Sequence, residues 1–268
     1  MQLKVIFLLS YLCISIICNA QRLPVRVNDK PKVVIGLVID QMRWDFLYRY
    51  YDQYSEGGFK RLLKEGFSCE NTFIPYVPTF TAPGHTCIYT GSVPAIHGIV
   101  GNDWYEKSIN KSIYCTNDST VTSVGGSNTW GKNSPRNLWT TTITDELRIS
   151  TNFKSRVFAA SLKDRASIFP GGHSANAAYW YDESLGRWIT SSYYMNELPA
   201  WLQKINDKKM PDVYMSKEWK TLLPISNYEQ STADNKPYEL KLRGEATPTF
   251  PHKLFELTDR KYEVYEGM

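Results

Sequence analysis

Thr81 lies in the run Pro78-Thr79-Phe80-Thr81-Ala82-Pro83-Gly84-His85. A proline in the first turn predicts that a helix starts there. A threonine hydroxyl is a weak nucleophile until its pKa is lowered. A helix N-terminus contributes partial positive charge to that end, and the same N-terminus suits an oxyanion. Asn102, in Gly101-Asn102-Asp103, has a side-chain amide that can donate to such an anion. Lys163 and Arg165 flank Asp164. On an extended segment residues two apart share a face, and a guanidinium fork beside an ammonium point charge suits a dianion such as phosphate. Asp40 ends an apolar run and offers a hard oxygen ligand to a divalent cation. Taken singly, each has a plainer role. Asp40 and Thr81 can cap helices, Asn102 suits a turn, and the Lys-Asp-Arg segment suits a solvated corner. His85 is read as a buried side chain that holds its turn, and His173 and His252 have no partner legible in the sequence.

The elements that must position these residues alternate in type. Val33 to Ile39 is an apolar, largely β-branched run, the pattern of a parallel strand buried on both faces. Gly58 to Gly66 predicts an amphipathic helix, with Phe59, Leu62 and Leu63 on one face and Gly66 as terminator. A second strand is expected within Ser68 to Pro75, a helix from Ala82, another helix over Trp139 to Ile149, and a buried strand over Arg156 to Leu162. Alternating strands and helices imply an α/β sheet flanked by helices, whose ligands bind outside the carboxyl ends of the strands. Ala178 to Tyr181 and Trp188 to Thr190 flank a turn and predict a β-hairpin. From Asn196 onward the chain is polar, with weak periodicity, and reads as an insertion or cap.

The 268 residues carry a net charge of +4. That charge is spread rather than gathered in a tract, so nothing points to nucleic-acid binding. Aromatic residues make up 14% of the chain, which argues against disorder. The set Tyr179, Trp180, Tyr181, Trp188, Tyr193, Tyr194 and Trp201 is read as core packing rather than as a sugar platform. Lys4, the apolar run Val5 to Cys18 and the small residues up to Ala20 predict a signal peptide over 1–20, cleaved before Gln21, with a polar leader over 21–30. The run is short for a spanning helix, and no later segment is apolar enough to span a membrane. The expected location is periplasmic or secreted. In that oxidising setting Cys69, Cys87 and Cys115 leave room for one disulfide and at least one odd thiol.

Together, Val38-Ile39-Asp40-Gln41-Met42-Arg43, Pro78 to His85, His97-Gly98-Ile99-Val100-Gly101-Asn102 and Ser161-Leu162-Lys163-Asp164-Arg165 resemble the motifs of the alkaline phosphatase superfamily. The nearest branch is its periplasmic, threonine-nucleophile phosphomonoesterases, relatives of the nucleotide pyrophosphatases/phosphodiesterases. The resemblance covers about residues 31 to 200 and implies an α/β fold with a mixed, mostly parallel sheet. On this basis 31–178 would be the N-terminal part of the catalytic domain, and 179–268 a hairpin and cap-like insertion. The resemblance also implies two zinc ions, one of them held by Asp40 and the Thr81 oxygen. Thr81 would form a phosphothreonine intermediate from a small phosphomonoester, while Asn102, Lys163 and Arg165 hold its non-bridging oxygens. The Lys/Arg pair favours monoesters, because the diesterase relatives lack it. Nothing after Arg165 resembles the family's remaining metal ligands. The expectation is therefore a truncated chain with partial zinc binding and little or no activity alone. Two alternatives stay open: a phosphodiesterase or nucleotide pyrophosphatase, and an inactive phosphate- or glycan-binding surface module. No Cys-x-Pro-x-Arg sequence supports a sulfatase.

Overall fold

The computed structural model describes residues 31–242 and 244–257. The signal peptide and polar leader lie outside the described residues, as does the end of the expected cap. Contacts divide the chain into a short unit ending at Ile39 and a second unit from Asp40 onward.

Two expected strands are absent. Val33 to Ile39 forms no ladder, and Ile35 is 85% exposed. Ser68 to Pro75 is irregular as well. A β-branched run becomes a strand only when a neighbour pairs its backbone groups. Among the described residues neither run has such a neighbour.

The second unit opens with a one-turn helix, α1 (Phe46–Arg49), and the expected amphipathic α2 (Gly58–Glu65). The helix expected at Ala82 is α3 (Thr81–Thr90), which ends on Gly91 in the left-handed conformation. After the short α4 (Pro94–His97) comes a hairpin of β1 (Asp103–Glu106) and β2 (Lys111–Tyr114). Asp103 sits opposite Tyr114 in its register.

A four-stranded sheet follows, in the order β3-β6-β5-β4. It is built from β3 (Ser123–Val124), β4 (Phe158–Ala160), β5 (Ala177–Asp182) and β6 (Arg187–Ser191). β4 and β5 run parallel, while β5–β6 and β3–β6 are antiparallel. The architecture is α/β with a mixed sheet flanked by helices, as expected. Within the described residues its parallel share is the single β4–β5 pair. The expected hairpin is β5–β6, and the boundary placed at 178/179 falls inside β5. The strand expected over 156–162 is shorter than its apolar pattern and is not buried, since Phe158 is exposed.

One core joins these layers. Ala82 of α3, Ile99, Cys115, Leu138, and Ile168 and Phe169 of α7 (Asp164–Gly171) pack with Ala178, Trp180 and Ile189 of the sheet. The short α5 (Asn128–Gly131) lies between β3 and this core, and its Trp130 carbonyl accepts the Trp180 indole N–H at 2.8 Å. Of the aromatic set, Tyr179, Trp180 and Tyr181 are buried, and Trp201 packs edge-on against Tyr179 from the partly exposed α8 (Ala200–Asp207). α9 (Met210–Met215) leads to a two-stranded ladder of β7 (Glu218–Trp219) and β8 (His252–Lys253). There the buried His252 Nδ1 meets Glu245 at 2.9 Å. Cys69, Cys87 and Cys115 are all free thiols. Among the described residues no helix is long and apolar enough to cross a membrane.

The helix expected over 139–149 is α6 (Ile143–Ser150). It starts later than its apolar pattern because Thr142 and Asp145 form a capping box. The Asp145 carboxylate is buried and also accepts the backbone N–H groups of His173 and Ser174, at 3.1 and 2.7 Å, and the Ser174 hydroxyl at 2.7 Å. Gly172 makes this clasp possible. Its φ is +73°, and a Cβ there would lie 2.3 Å from Thr142 Oγ1 and 2.4 Å from Asp145 Oδ2. Burial pushes the Asp145 pKa up, but the hydrogen bonds from Ser174, Thr142 and His173 outweigh it and hold the carboxyl below its ordinary value. Replacing Asp145 by Ala leaves several buried donors unpaired, so the expected loss is about 3 kcal/mol of stability at neutral pH. Urea denaturation of the variant against the parent measures it, and a loss within error would refute the clasp.

Candidate active site

The site begins at the N-terminus of α3. Phe80 precedes the helix in extended conformation and provides no side-chain cap. The cap comes instead from a residue distant in sequence: Ala82 donates its backbone N–H to Asn102 Oδ1 at 2.9 Å. Neither Thr81 nor Thr79 fills that role, so the plain reading of Thr81 as a helix cap does not hold. Among the described residues no hydrogen bond engages the Thr81 hydroxyl. With its Oδ1 turned to the helix, Asn102 keeps its amide group for another acceptor. His85 Nδ1 lies 3.0 Å from the Thr81 carbonyl oxygen, not its hydroxyl. It holds the first turn and is not placed as a base.

Asn102 is in turn held by the hairpin. Its carbonyl accepts the Cys115 N–H at 2.9 Å, one step beyond the β1–β2 ladder. Next to Cys115, the Tyr114 hydroxyl accepts a hydrogen bond from Arg165 Nη1 at 2.8 Å. It donates its own proton to Asp164 Oδ1, also at 2.8 Å. Asp164 Oδ2 also accepts the Thr116 hydroxyl. An unbroken sequence of bonded neighbours therefore runs from Thr81 through Asn102 and Tyr114 to Arg165, while α3 packs against α7. Burial lowers the Arg165 pKa, but the neighbouring Tyr114 and Asp164 more than offset it. The guanidinium stays charged. Burial and the Asp164 charge push the Tyr114 phenol up, so it stays protonated in alkaline solution.

Lys163 and Arg165 do not share a face of an extended segment. Lys163 is the extended residue ahead of α7, and Asp164 opens the helix, where an acidic residue in the first turn is favourable. Arg165 therefore lies within the first helical turn, and residues two apart on a helix do not face each other. The two cations have different partners. Arg165 bonds Tyr114, whereas Lys163 forms an ion pair with Glu183 in the β5–β6 turn. Sequence reasoning gave no role to Tyr114, Asp164 or Glu183. Only Asp164 carried a signal, as the acid between the two cations, because Tyr114 and Glu183 lie 51 and 20 positions from their partners.

Asp40 is not drawn into this group. It lies exposed in a turn, with its Oδ1 accepting the N–H of Gln41 at 2.9 Å. No cluster of three or more His, Cys, Asp or Glu side chains able to hold a metal occurs among the described residues. Zinc takes four ligands in a structural site and three protein ligands in a catalytic one. Asp40 and Thr81 fall short of that, so the zinc pair implied by the resemblance does not fit the residues described.

The α3 scaffold depends on a neutral histidine. His97 is fully buried; its Nδ1 accepts the Ile99 N–H at 3.2 Å, so its Nε2 carries the proton toward Cys87 Sγ, also at 3.2 Å. Gly98, at φ +83°, lets the chain pass under Trp139, whose Cδ2 would lie 2.6 Å from any Cβ there. Burial lowers the His97 pKa from 6.5 to about 4. Between those values the unfolded chain binds a proton that the folded chain refuses, so stability falls as pH drops through that window. Urea denaturation from pH 7 to pH 4 should show this slope, and His97→Gln should remove the His97 share of it. A slope unchanged in the variant would overturn the assignment.

A family model described as type I phosphodiesterase / nucleotide pyrophosphatase matches residues 34–263. A calcium-transporting ATPase from Myroides odoratus is 57% identical, over 89% of this chain and 43% of its own length. Alkaline phosphatase PafA from Elizabethkingia meningoseptica is 52% identical over 98% of this chain and 47% of its own. Alkaline phosphatase PhoV from Synechococcus elongatus is 49% identical over 96% and 49%. The crystal structure of wild-type PafA superposes with a TM-score of 0.83 at 54% identity, covering 88% of this chain and 45% of that one. A PafA variant substituted at a threonine, an asparagine, a lysine and an arginine also matches with a TM-score of 0.83. The chain spans about half the length of these relatives. With the fold, the order of motifs and the match over most of its length in agreement, the chain belongs to the type I phosphodiesterase / nucleotide pyrophosphatase family.

Proposed function

We propose that the parent activity is hydrolysis of phosphate monoesters through a phosphothreonine intermediate on Thr81. The bond from Ala82 N–H to Asn102 Oδ1 carries this reading, because it joins two residues twenty positions apart at one helix N-terminus. The threonine, asparagine, lysine and arginine substituted together in the PafA variant match Thr81, Asn102, Lys163 and Arg165 in residue type and chain order. The names of the relatives, two alkaline phosphatases and an ATPase, all concern phosphoryl groups.

In this reading the Thr81 hydroxyl oxygen attacks phosphorus. The Oγ–P bond forms as the ester P–O bond breaks, and the Thr81 hydroxyl proton ends on the leaving alkoxide. Water then gives its hydroxyl to phosphorus and its remaining proton to Thr81 Oγ as the Oγ–P bond breaks, which releases inorganic phosphate and restores the threonine. The N-terminus of α3 contributes partial positive charge beside the entering oxygen. The Asn102 amide and the Arg165 guanidinium meet the non-bridging oxygens, where charge stabilisation is most effective. Lys163 joins them as a second cation. Zinc enters this reading through the resemblance alone, and this chain by itself is expected to be weak or inactive. Export through the N-terminal signal belongs to the same reading.

The runner-up is hydrolysis of diesters, which the description of the family model favours. A monoester dianion carries one more charged oxygen than a diester, so two cations favour the monoester. The assay is hydrolysis of p-nitrophenyl phosphate against bis-p-nitrophenyl phosphate at alkaline pH with added zinc, on this chain and on a form extended to its relatives' length. Thr81→Ala should lower monoester turnover on the order of 10³-fold or more. Lys163→Ala and Arg165→Ala should each cost roughly 100-fold on the monoester and clearly less on the diester. Equal losses on both esters would refute the dianion role. Phosphate binding without turnover of either ester would leave the binding-module reading in place of the enzyme.

A further inference from the structure

The Tyr114 hydroxyl has one proton and two charged neighbours. Arg165 Nη1 can only donate, so the phenol oxygen must accept from it, and its single proton must go to Asp164 Oδ1. The direction of both bonds is therefore fixed by the chemistry of the groups. Asp164 is itself fixed, because it is buried and its second oxygen accepts from Thr116. Tyr114 closes β2 beside Cys115, whose N–H holds the Asn102 carbonyl. The phenol thus links the segment that carries Asn102 to the helix that carries Arg165.

The orientation of Arg165 follows from its partners. Its Nε–H is enclosed with no hydrogen-bond partner among the described residues, as are those of Arg148 and Arg187, so the substrate would be met by the terminal nitrogens and not by Nε. The residue as a whole is only partly buried. With Nη1 held by Tyr114, the guanidinium cannot turn freely, and its remaining terminal N–H groups suit the oxygens of a phosphoryl group.

We propose that Tyr114 is a positioning residue: it anchors Arg165 to Asp164 and so holds the guanidinium in one orientation toward the substrate's non-bridging oxygens. The inference rests on the phosphatase reading of Arg165. Tyr114 touches no reacting atom. Its effect reaches the substrate through Arg165, and it bears most on the substrate that uses that cation most.

The test compares Tyr114→Phe, Arg165→Ala and the double variant on p-nitrophenyl phosphate and bis-p-nitrophenyl phosphate, in the zinc-supplemented form extended to its relatives' length. Tyr114→Phe keeps the ring and removes only the hydroxyl. It should lower kcat/KM for the monoester about tenfold, the size of one hydrogen bond to a charged group, and change the diester far less. In the Arg165→Ala background it should cost nothing further, because the group it positions is gone. If Tyr114→Phe does not fold, Asp164→Ala removes the acceptor that anchors the phenol while keeping the phenol itself, and is read by the same comparison. If Arg165→Ala lowers the monoester rate but Tyr114→Phe does not, the proposal falls and the phosphatase reading stands. It also falls if Tyr114→Phe lowers both esters alike and adds to Arg165→Ala, the pattern of a merely structural residue. A monoester rate untouched by Arg165→Ala removes the reading of Arg165, and the proposal with it.

Discussion

The burial of Trp180 is the contact on which the other layers depend. Its ring is 1% exposed, and its indole N–H is satisfied by the Trp130 carbonyl, so a large apolar surface is buried without an unpaired donor. Ala82, Ile168 and Phe169 pack into the same cluster. The helix carrying Thr81 and the helix carrying Arg165 are therefore fixed by one apolar core. A shift of either helix would open a cavity or force an overlap, and both are costly in a close-packed interior. The relative placement of the two helix N-termini is thus a packing property before it is a chemical one.

Around that core, buried carboxylates act as fasteners. Asp118 binds Ser134, Thr120 and Arg136; Asp145 binds Thr142, His173 and Ser174; Asp164 binds Tyr114 and Thr116; Asp182 binds the backbone of Ser127 and Ser184. A buried charge is costly unless several donors meet it. Each of these aspartates therefore selects the one arrangement that brings its donors together. In all four cases some donors lie far away in sequence, so each carboxylate ties two segments that the apolar core alone would leave free to slide. Asp164 differs from the others because one of its donors, Tyr114, also binds a cation of the candidate site.

The arrangement of charges at the site follows from the same logic. Arg165 stays charged although it is largely enclosed, because Tyr114 and Asp164 offset the cost of burial. Lys163 is paired with Glu183. In the proposed reading an arriving anion would meet cations whose own partners already restrain them, which reduces the entropy lost on binding. Asp40 stands apart, exposed and engaged with its own neighbour. It takes no part in this pre-arranged set among the described residues.

Local chemistry made much of this legible in advance. The helix expected from Ala82, the helix at Gly58, the β5–β6 hairpin and the strand around Ala159 follow from a first-turn proline, turn residues and apolar spacing, which act over a few residues. The residue types at Thr81, Asn102, Lys163 and Arg165 are those from which the proposed phosphate chemistry is read. The runs 33–39 and 68–75 were misread because a strand exists only in partnership, and no local pattern names the partner. The face shared by Lys163 and Arg165 was misread because the helix start at Asp164 is stabilised by Tyr114 and Thr116, some fifty positions away. Sequence by itself determined which groups are available and where the chain turns. Tertiary structure decided which of those groups meet, because hydrogen bonds such as Ala82 to Asn102 and Arg165 to Tyr114 join residues whose separation along the chain carries no signal of contact.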